Sequence, residues 1–403
     1  MFANRVLSGM RPTGALHLGH YHGALKNWVR LQTEQPCYFF VADWHALTTH
    51  YESPEVIQRN IWDMVIDWLA AGVDPNQAVL FIQSRVPEHA ELHLLLSMST
   101  PLGWLERVPT YKDQQEKLTD RDLTTYGFLG YPLLQAADIL IYRASSVPVG
   151  EDQVPHIELT REIARRFNHL FGREPGFEDK VAAAIKQLGG KRGKAYSELR
   201  TRFQEQGDAQ ALAEARALVE SSGSLSADDR ERLMGFLEGS RKMILSEPKA
   251  LLTEASRLPG IDGQKMSKSY GNSIAMREDP ASVTKKLRTM PTDPARGRRT
   301  DPGEPTRCPV WALHQVYSSE DTRQWVQQGC RSAGIGCLDC KQPVIDAVIA
   351  EQAPFIERAK PYLDDPRRLQ AIIDEGCDKA RAVAQDTMRD VREVMGLNYR
   401  SLG

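Results

Sequence analysis

Ten residues near the N-terminus, Arg11-Pro12-Thr13-Gly14-Ala15-Leu16-His17-Leu18-Gly19-His20, are of types that handle phosphate. His17 and His20 carry ring N–H donors, and Gly14 and Gly19 let backbone approach an anion closely. A helix starting here would aim unpaired N–H groups outward. The pattern is neither GxGxxG nor GxxxxGK[ST]. A second stretch, Lys265-Met266-Ser267-Lys268-Ser269, sits in a polar loop between Pro259-Gly260 and Gly271-Asn272. Two lysines three apart on such a loop can reach a polyphosphate and neutralise charge on a leaving group. Taken alone, each stretch also has a plainer reading: a Gly/His turn with surface histidines, and a solvated Lys/Ser loop.

Two further groups can carry chemistry. Tyr131, Gln135 and Asp138 are spaced by four and three, so a helix puts them on one face, among apolar residues. A carboxylate in that setting needs a partner. The partner is either backbone or a ligand N–H or O–H in a pocket with an aromatic wall. Val147-Pro148-Val149-Gly150-Glu151-Asp152-Gln153 reads as a short strand meeting a helix start. Gly150 permits close approach, and Asp152 can accept hydrogen bonds from a ribose. Lys112 can also face a site, although an exposed lysine is its plainer reading.

Four of the six cysteines, Cys308, Cys330, Cys337 and Cys340, follow the spacing C-x21-C-x6-C-x2-C. Four thiolates suit Zn²⁺ or a [4Fe–4S] cluster equally on ligand count.

These residues need elements to position them. Val6-Leu7-Ser8-Gly9, Cys37–Asp43 and Ala78–Gln83 read as buried strands, with a helix from Tyr21 and another over residues 53–73. Ser53 and Pro54 start the second of these helices. Strand and helix in alternation predict a parallel sheet covered on both faces, with ligands beyond the carboxyl ends of the strands. The ten-residue stretch, Asp43-Trp44-His45 and Gln83 all fall at such ends. Residues 87–170 read as mostly helical. Residues 181–246 read as two or three helices forming an insertion, with Gly189–Lys194 as a basic loop. From about residue 285 the pattern is helical, ending in one or two long helices over 366–396. Lys285–Arg288 and Arg296–Arg299 supply local positive charge.

The chain has 403 residues and a net charge of −2, so any nucleic-acid binding must come from local basic patches and not from overall charge. The first residues lack an apolar signal core, and no apolar stretch is long enough to span a bilayer. The expectation is a cytoplasmic protein with no membrane partner, in which a cysteine cluster points to a metal before a disulfide.

His17-Leu18-Gly19-His20 and Lys265–Ser269, in that order, resemble the HIGH and KMSKS motifs of class I aminoacyl-tRNA synthetases. Ser8–Leu25 and Val147–Gln153 look like the corresponding stretches of bacterial tryptophanyl-tRNA synthetases. The resemblance covers roughly residues 5–175 and 247–395. It implies an α/β, Rossmann-like parallel-sheet catalytic domain (1–180 and 247–284) interrupted by the insertion 181–246. An α-helical anticodon-binding domain follows at 285–403. It also implies activation of L-tryptophan by ATP with Mg²⁺, transfer to tRNA(Trp), and a homodimer.

By that resemblance Thr13, His17, His20, Lys265 and Lys268 are catalytic. ATP lies on Arg11, Pro12, Thr13, Gly19, His20, Gly150, Glu151, Asp152 and Lys265–Ser269, including Met266 and Ser267. Tryptophan lies on Asp138, which accepts the indole N–H, and on Tyr131, Gln135, Leu7, His45, Val147, Val149 and Gln153. Many tryptophanyl enzymes have Met at the place of Gln135, and tyrosyl enzymes share the Tyr131/Gln135/Asp138 residue types. A tyrosine-specific relative therefore stands as an alternative, beside an inactive RNA-binding paralogue. A subset of the tryptophanyl enzymes has a four-cysteine [4Fe–4S] motif of nearly this spacing. The resemblance thus implies the cluster, with Zn²⁺ as the alternative.

Overall fold

The computed structural model describes residues 3–108, 124–172, 176–239, 243–252, 258–267 and 270–399. Five strands, β1 (Val6–Met10), β2 (Cys37–Val41), β3 (Ala78–Ile82), β4 (Ser146–Val149) and β5 (Lys249–Leu252), form one sheet in the order β3-β2-β1-β4-β5. The pairs β2–β3 and β1–β4 are parallel, with Cys37 opposite Ala78 and Val6 opposite Ser146. All five residues of β2 are buried, as a strand covered on both faces requires. The α/β class read from the sequence is the class observed.

The chain divides into two compact units. One comprises Ser8–Gln83 and Leu252–Cys377. Its helix Pro54–Ala71 starts on Pro54 and ends where Gly72 turns left-handed, at φ 109°. Trp28 lies flat on Phe39 at 4.2 Å and meets Trp68 edge-on at 5.3 Å. These three buried rings fix the helices against β2. The helices Pro280–Thr289, Pro309–Tyr317, Glu320–Arg331 and Cys337–Asp364 also belong here.

The other unit comprises Met1–Leu7, Ser84–Leu251 and Asp378–Gly403. Helices Glu88–Ser97, Tyr131–Ile141 and Val154–Phe171 form its body. The insertion holds four helices, Phe177–Gln187, Gly190–Gln206, Ala209–Glu220 and Ala227–Leu237, where two or three were expected. The basic stretch Gly190–Lys194 is helical, not a loop. Gly189, at φ 85°, breaks the chain, and the next helix begins at once. The insertion has its own core, built on Phe177, Val181, Tyr196, Val219 and Leu233. Buried Tyr196 donates its hydroxyl to Leu233 O at 2.5 Å. Asn168 stitches the return of the chain: its Oδ1 accepts N–H from Ile244 (2.9 Å) and Leu245 (3.0 Å), and its Nδ2 donates to Leu245 O (2.8 Å). Among the described residues no helix is long and apolar enough to cross a membrane.

Candidate active site

The turn after β1 is built from local hydrogen bonds. Thr13 N–H bonds Arg11 O at 2.9 Å, Pro12 is buried, and Arg11 is exposed. Leu18–His20 form a short helical turn with His17 as its N-cap, and His17 N–H donates to His20 Nδ1 at 3.2 Å. Because His20 Nδ1 accepts, the neutral ring carries its proton on Nε2, which makes it a donor for an anionic ligand. The His17 and His20 rings lie 3.8 Å apart. Tyr21–Leu25 continue as a π-turn, an irregularity common at functional sites and invisible in the sequence.

The Lys265 loop stands beside the His17 turn in the same unit. Leu16–Leu18 pair antiparallel with Ile274–Met276: Leu18 N–H donates to Ile274 O and Met276 N–H to Leu16 O, both at 3.0 Å, with His17 opposite Ala275. A β-carbon on Gly19 would touch Met266 Cβ at 3.4 Å. Met266 is buried and Lys265 exposed, so the methionine anchors the loop and the lysine faces outward. Lys268 and Ser269, and also Lys112, lie outside the described residues.

Asn272 organises the loop, and sequence reasoning missed it. Its Oδ1 accepts Ser267 N–H at 2.7 Å, and its Nδ2 donates to Lys265 O (3.1 Å) and Asp262 Oδ1 (2.8 Å). The only hint was an asparagine after glycine in a turn. The Gln264 N–H on Asp262, followed by Asn272, holds the Asp262 carboxyl below its usual range.

In the other unit the helix Tyr131–Ile141 carries the predicted trio. Asp138 is 1 % exposed, and its Oδ1 meets His89 Nδ1 at 2.6 Å. His89 Nε2 meets the Tyr142 hydroxyl at 2.7 Å. Neither His89 nor Tyr142 was anticipated, because a lone histidine in a helix gives no signal. Gln135 Oε1 accepts from His156 Nδ1 at 2.8 Å, and Tyr131 meets the His156 ring edge-on at 5.5 Å. Leu7 and Val147 are buried, and Val149 and Gln153 are half-buried. Gly150, at the end of β4, stands so close to Asp152 that a β-carbon would be 2.8 Å from Asp152 Oδ1. Glu151 and Asp152 are exposed, and Gln153 Nε2 donates to Asp152 Oδ2 at 3.2 Å. His45 is buried on helix Asp43–His50, in the unit with His17.

The four cysteines sit at helix ends: Cys308 caps Pro309–Tyr317, Cys330 ends Glu320–Arg331, and Cys337 and Cys340 open Cys337–Asp364. All are reduced. The Cys340 thiol is pushed up to about 12, first by burial and then by the charges of Cys308, Cys330 and Cys337. Cys340 Sγ also lies 3.4 Å from His314 Nε2. Four thiols that repel one another when ionised are a donor set that a cation relieves. Among the described residues, however, no three His, Cys, Asp or Glu side chains are arranged to hold a metal ion. The two basic runs are partly tied up, while Lys285, Arg288, Arg298 and Arg299 are exposed. Arg296 is buried, bonding Arg299 O at 3.0 Å and Ile335 O at 2.6 Å, and Lys286 pairs with Glu278 at 2.7 Å.

A histidine turn and a lysine loop side by side next to a largely parallel sheet suit a nucleotide-activating enzyme, and comparison with known proteins gives the family. The chain belongs to the class I tRNA synthetases (W and Y), which match residues 3–197 and 227–351. A tryptophan–tRNA ligase of Ralstonia nicotianae is 75 % identical over 399 residues, covering 99 % of this chain and 100 % of that protein. One from Thermotoga maritima is 44 % identical, covering 98 % of this chain and 100 % of its own. The solved structure of tryptophanyl-tRNA synthetase from Campylobacter jejuni, complexed with ADP and tryptophan, matches with a TM-score of 0.73 at 28 % identity. It covers 98 % of this chain and 100 % of that one.

Proposed function

We propose that this chain activates L-tryptophan with ATP, giving tryptophanyl-adenylate and pyrophosphate, and then transfers the amino acid to tRNA(Trp). The observation that carries the reading is the antiparallel pairing of Leu16–Leu18 with Ile274–Met276, which ties together the two phosphate-handling motifs. The tryptophan carboxylate attacks the α-phosphate with loss of pyrophosphate, and the terminal adenosine hydroxyl of tRNA then attacks the adenylate's carbonyl carbon with loss of AMP. Neither step needs a covalent nucleophile, so positioning and charge do the work.

Thr13, His17, Gly19 and His20 hold phosphate and adenosine, with Arg11 and Pro12 shaping the turn. Lys265 and Lys268, on the Met266/Ser267/Ser269 loop, stabilise the charge that builds on the departing pyrophosphate. Mg²⁺ bound to the phosphates supplies further positive charge. Gly150, Glu151 and Asp152 serve the ribose side. Asp138 accepts the indole N–H, and Leu7, His45, Tyr131, Gln135, Val147, Val149 and Gln153 contact the amino acid. Phenylalanine, which lacks that N–H, is rejected by about 10⁴-fold.

The same reading assigns catalytic domain to 1–180 and 247–284, insertion to 181–246 and anticodon-binding domain to 285–403, in a cytoplasmic homodimer. Cys308, Cys330, Cys337 and Cys340 hold a [4Fe–4S] cluster that organises the anticodon end, with Zn²⁺ as the alternative. What supports this reading is the four-thiol donor set itself, carried at the ends of helices of one unit. Amino-acid-dependent ATP–pyrophosphate exchange, on protein purified without oxygen, tests the activity. Exchange with tryptophan alone is expected. Exchange with tyrosine instead refutes the pocket assignment. Iron and zinc content, with the visible spectrum of the same sample, decides the cluster: zinc in a colourless protein overturns it.

A further inference from the structure

Helix Pro54–Ala71 has an almost unbroken buried stretch, Met64, Val65, Ile66, Trp68, Leu69 and Ala70, and in the middle of it stands a carboxylate. Asp67 is 2 % exposed. Burial raises its carboxyl's affinity for a proton, and the Arg277 charge beside it acts against that. A charge in such a place is costly unless it is paired.

Among the described residues Asp67 has two hydrogen-bond partners, one in the His17 stretch and one in the segment that follows the Lys265 loop. Its Oδ2 accepts the N–H of Leu16, the residue before His17, at 3.2 Å. Its Oδ1 accepts from Arg277 Nε at 2.5 Å, just beyond the strap that follows Lys265–Ser269. Arg277 Nη2 also reaches Asp63 Oδ1 at 3.5 Å. Asp67 therefore closes one end of the Leu16–Leu18/Ile274–Met276 ladder, holding the backbone of Leu16 and the side chain of the residue just after Met276.

The strap has other anchors. Glu278 Oε2 accepts Ala275 N–H at 2.9 Å, and Gln352 Nε2 donates to Ala275 O at 2.7 Å. Those bonds fix the strap without touching the His17 turn. Asp67 is the side chain that ties both strands to one carboxylate.

We propose that Asp67 and Arg277 are positioning residues for ATP: together they set the register, and so the spacing, between the His17/His20 turn and the Lys265 loop. A buried ion pair is a weak source of net stability compared with packed apolar side chains, but a good device for fixing one arrangement. The proposal rests on the reading that these two motifs hold ATP; it asks nothing of the tryptophan pocket.

The test is a double-mutant cycle read in pyrophosphate exchange, with thermal midpoints measured on the same samples. Asp67→Asn keeps the shape and an acceptor for Leu16 N–H but loses the charge. Arg277→Gln removes the other half from a partly exposed position, so one variant is available if the other folds poorly. Each is expected to raise KM for ATP about tenfold, since small displacements of positioned groups carry costs of that order. KM for tryptophan should not move. The double variant should be no worse than either single, because the pair acts as a unit. Arg277→Lys should recover part of the ATP affinity.

Equal rises in both KM values, a lowered midpoint with ATP kinetics unchanged, or strictly additive single effects would each overturn the proposal. Failure of the function itself looks different: the unmodified protein would then show no exchange with tryptophan.

Discussion

Replacing Gly19 by alanine adds one methyl group where the His17 turn and the Lys265 loop touch. The new carbon would lie 2.9 Å from His17 Nδ1, 3.0 Å from its Cε1 and 3.4 Å from Met266 Cβ. Ordinary contact begins at 3.4 Å, so the His17 ring must retreat by about 0.5 Å, the difference between 3.4 and 2.9. It has little room to do so, because it is buried and faces the His20 ring at 3.8 Å. Gly19 is not in the left-handed region, so the methyl alone is responsible. Overpacking of this kind costs about 1–3 kcal/mol, shared between folding and the placement of His17 and His20. The exchange rate should fall by roughly tenfold to a hundredfold, with a higher KM for ATP. Gly23→Ala, four residues on, meets nothing within 4 Å and is the control. The assay is pyrophosphate exchange at varied ATP, with thermal unfolding alongside. A fully active Gly19→Ala, or equal damage from Gly23→Ala, would refute the geometry.

Two further outcomes can be measured. His89→Leu strips the 2.6 Å partner from the buried Asp138 carboxylate and should cost about 3 kcal/mol in urea unfolding. Adding Asp138→Asn to that variant should restore part of the loss, because the stranded charge is gone. Asp293 accepts N–H from Glu304 at 2.8 Å and Ala295 at 3.0 Å, with Arg307 at 3.2 Å, and these hold its carboxyl below the ordinary 3.8. A carboxyl depressed in the folded state stabilises above the unfolded value, and that gain is lost as pH falls from there through the folded one. Asp293→Asn should therefore flatten the acid limb of the stability–pH curve, and an unchanged limb would contradict the assignment.

The sequence was most legible where chemistry is local. His17–His20, Lys265–Ser269 and Gly150–Asp152 each announce themselves within a few residues. The strands β2 and β3 are apolar runs with clear ends. What escaped depends on distance along the chain. Asp67 and Arg277 are 210 residues apart, and His89 lies 49 from Asp138, so no window reveals either pair. Arg296 was read as part of an RNA-facing run because composition cannot tell a buried arginine from its exposed neighbours. The basic stretch Gly190–Lys194 looked like a loop because glycine and charge usually mark one. Here a single left-handed Gly189 makes the break, and Gly193 packs against the preceding helix, where a β-carbon would be 2.7 Å from Ile185 O.

Asn168 gives the insertion a further meaning. It fastens the segment that returns from the four helices, while those helices satisfy their apolar surface among themselves. The surrounding fold thus meets the insertion as a closed cassette on a fixed socket. Such a cassette can change in length or sequence, or be exchanged for another module, while the socket keeps its register. Variation among relatives should accumulate inside residues 177–237 and stop at Asn168, Ile244 and Leu245.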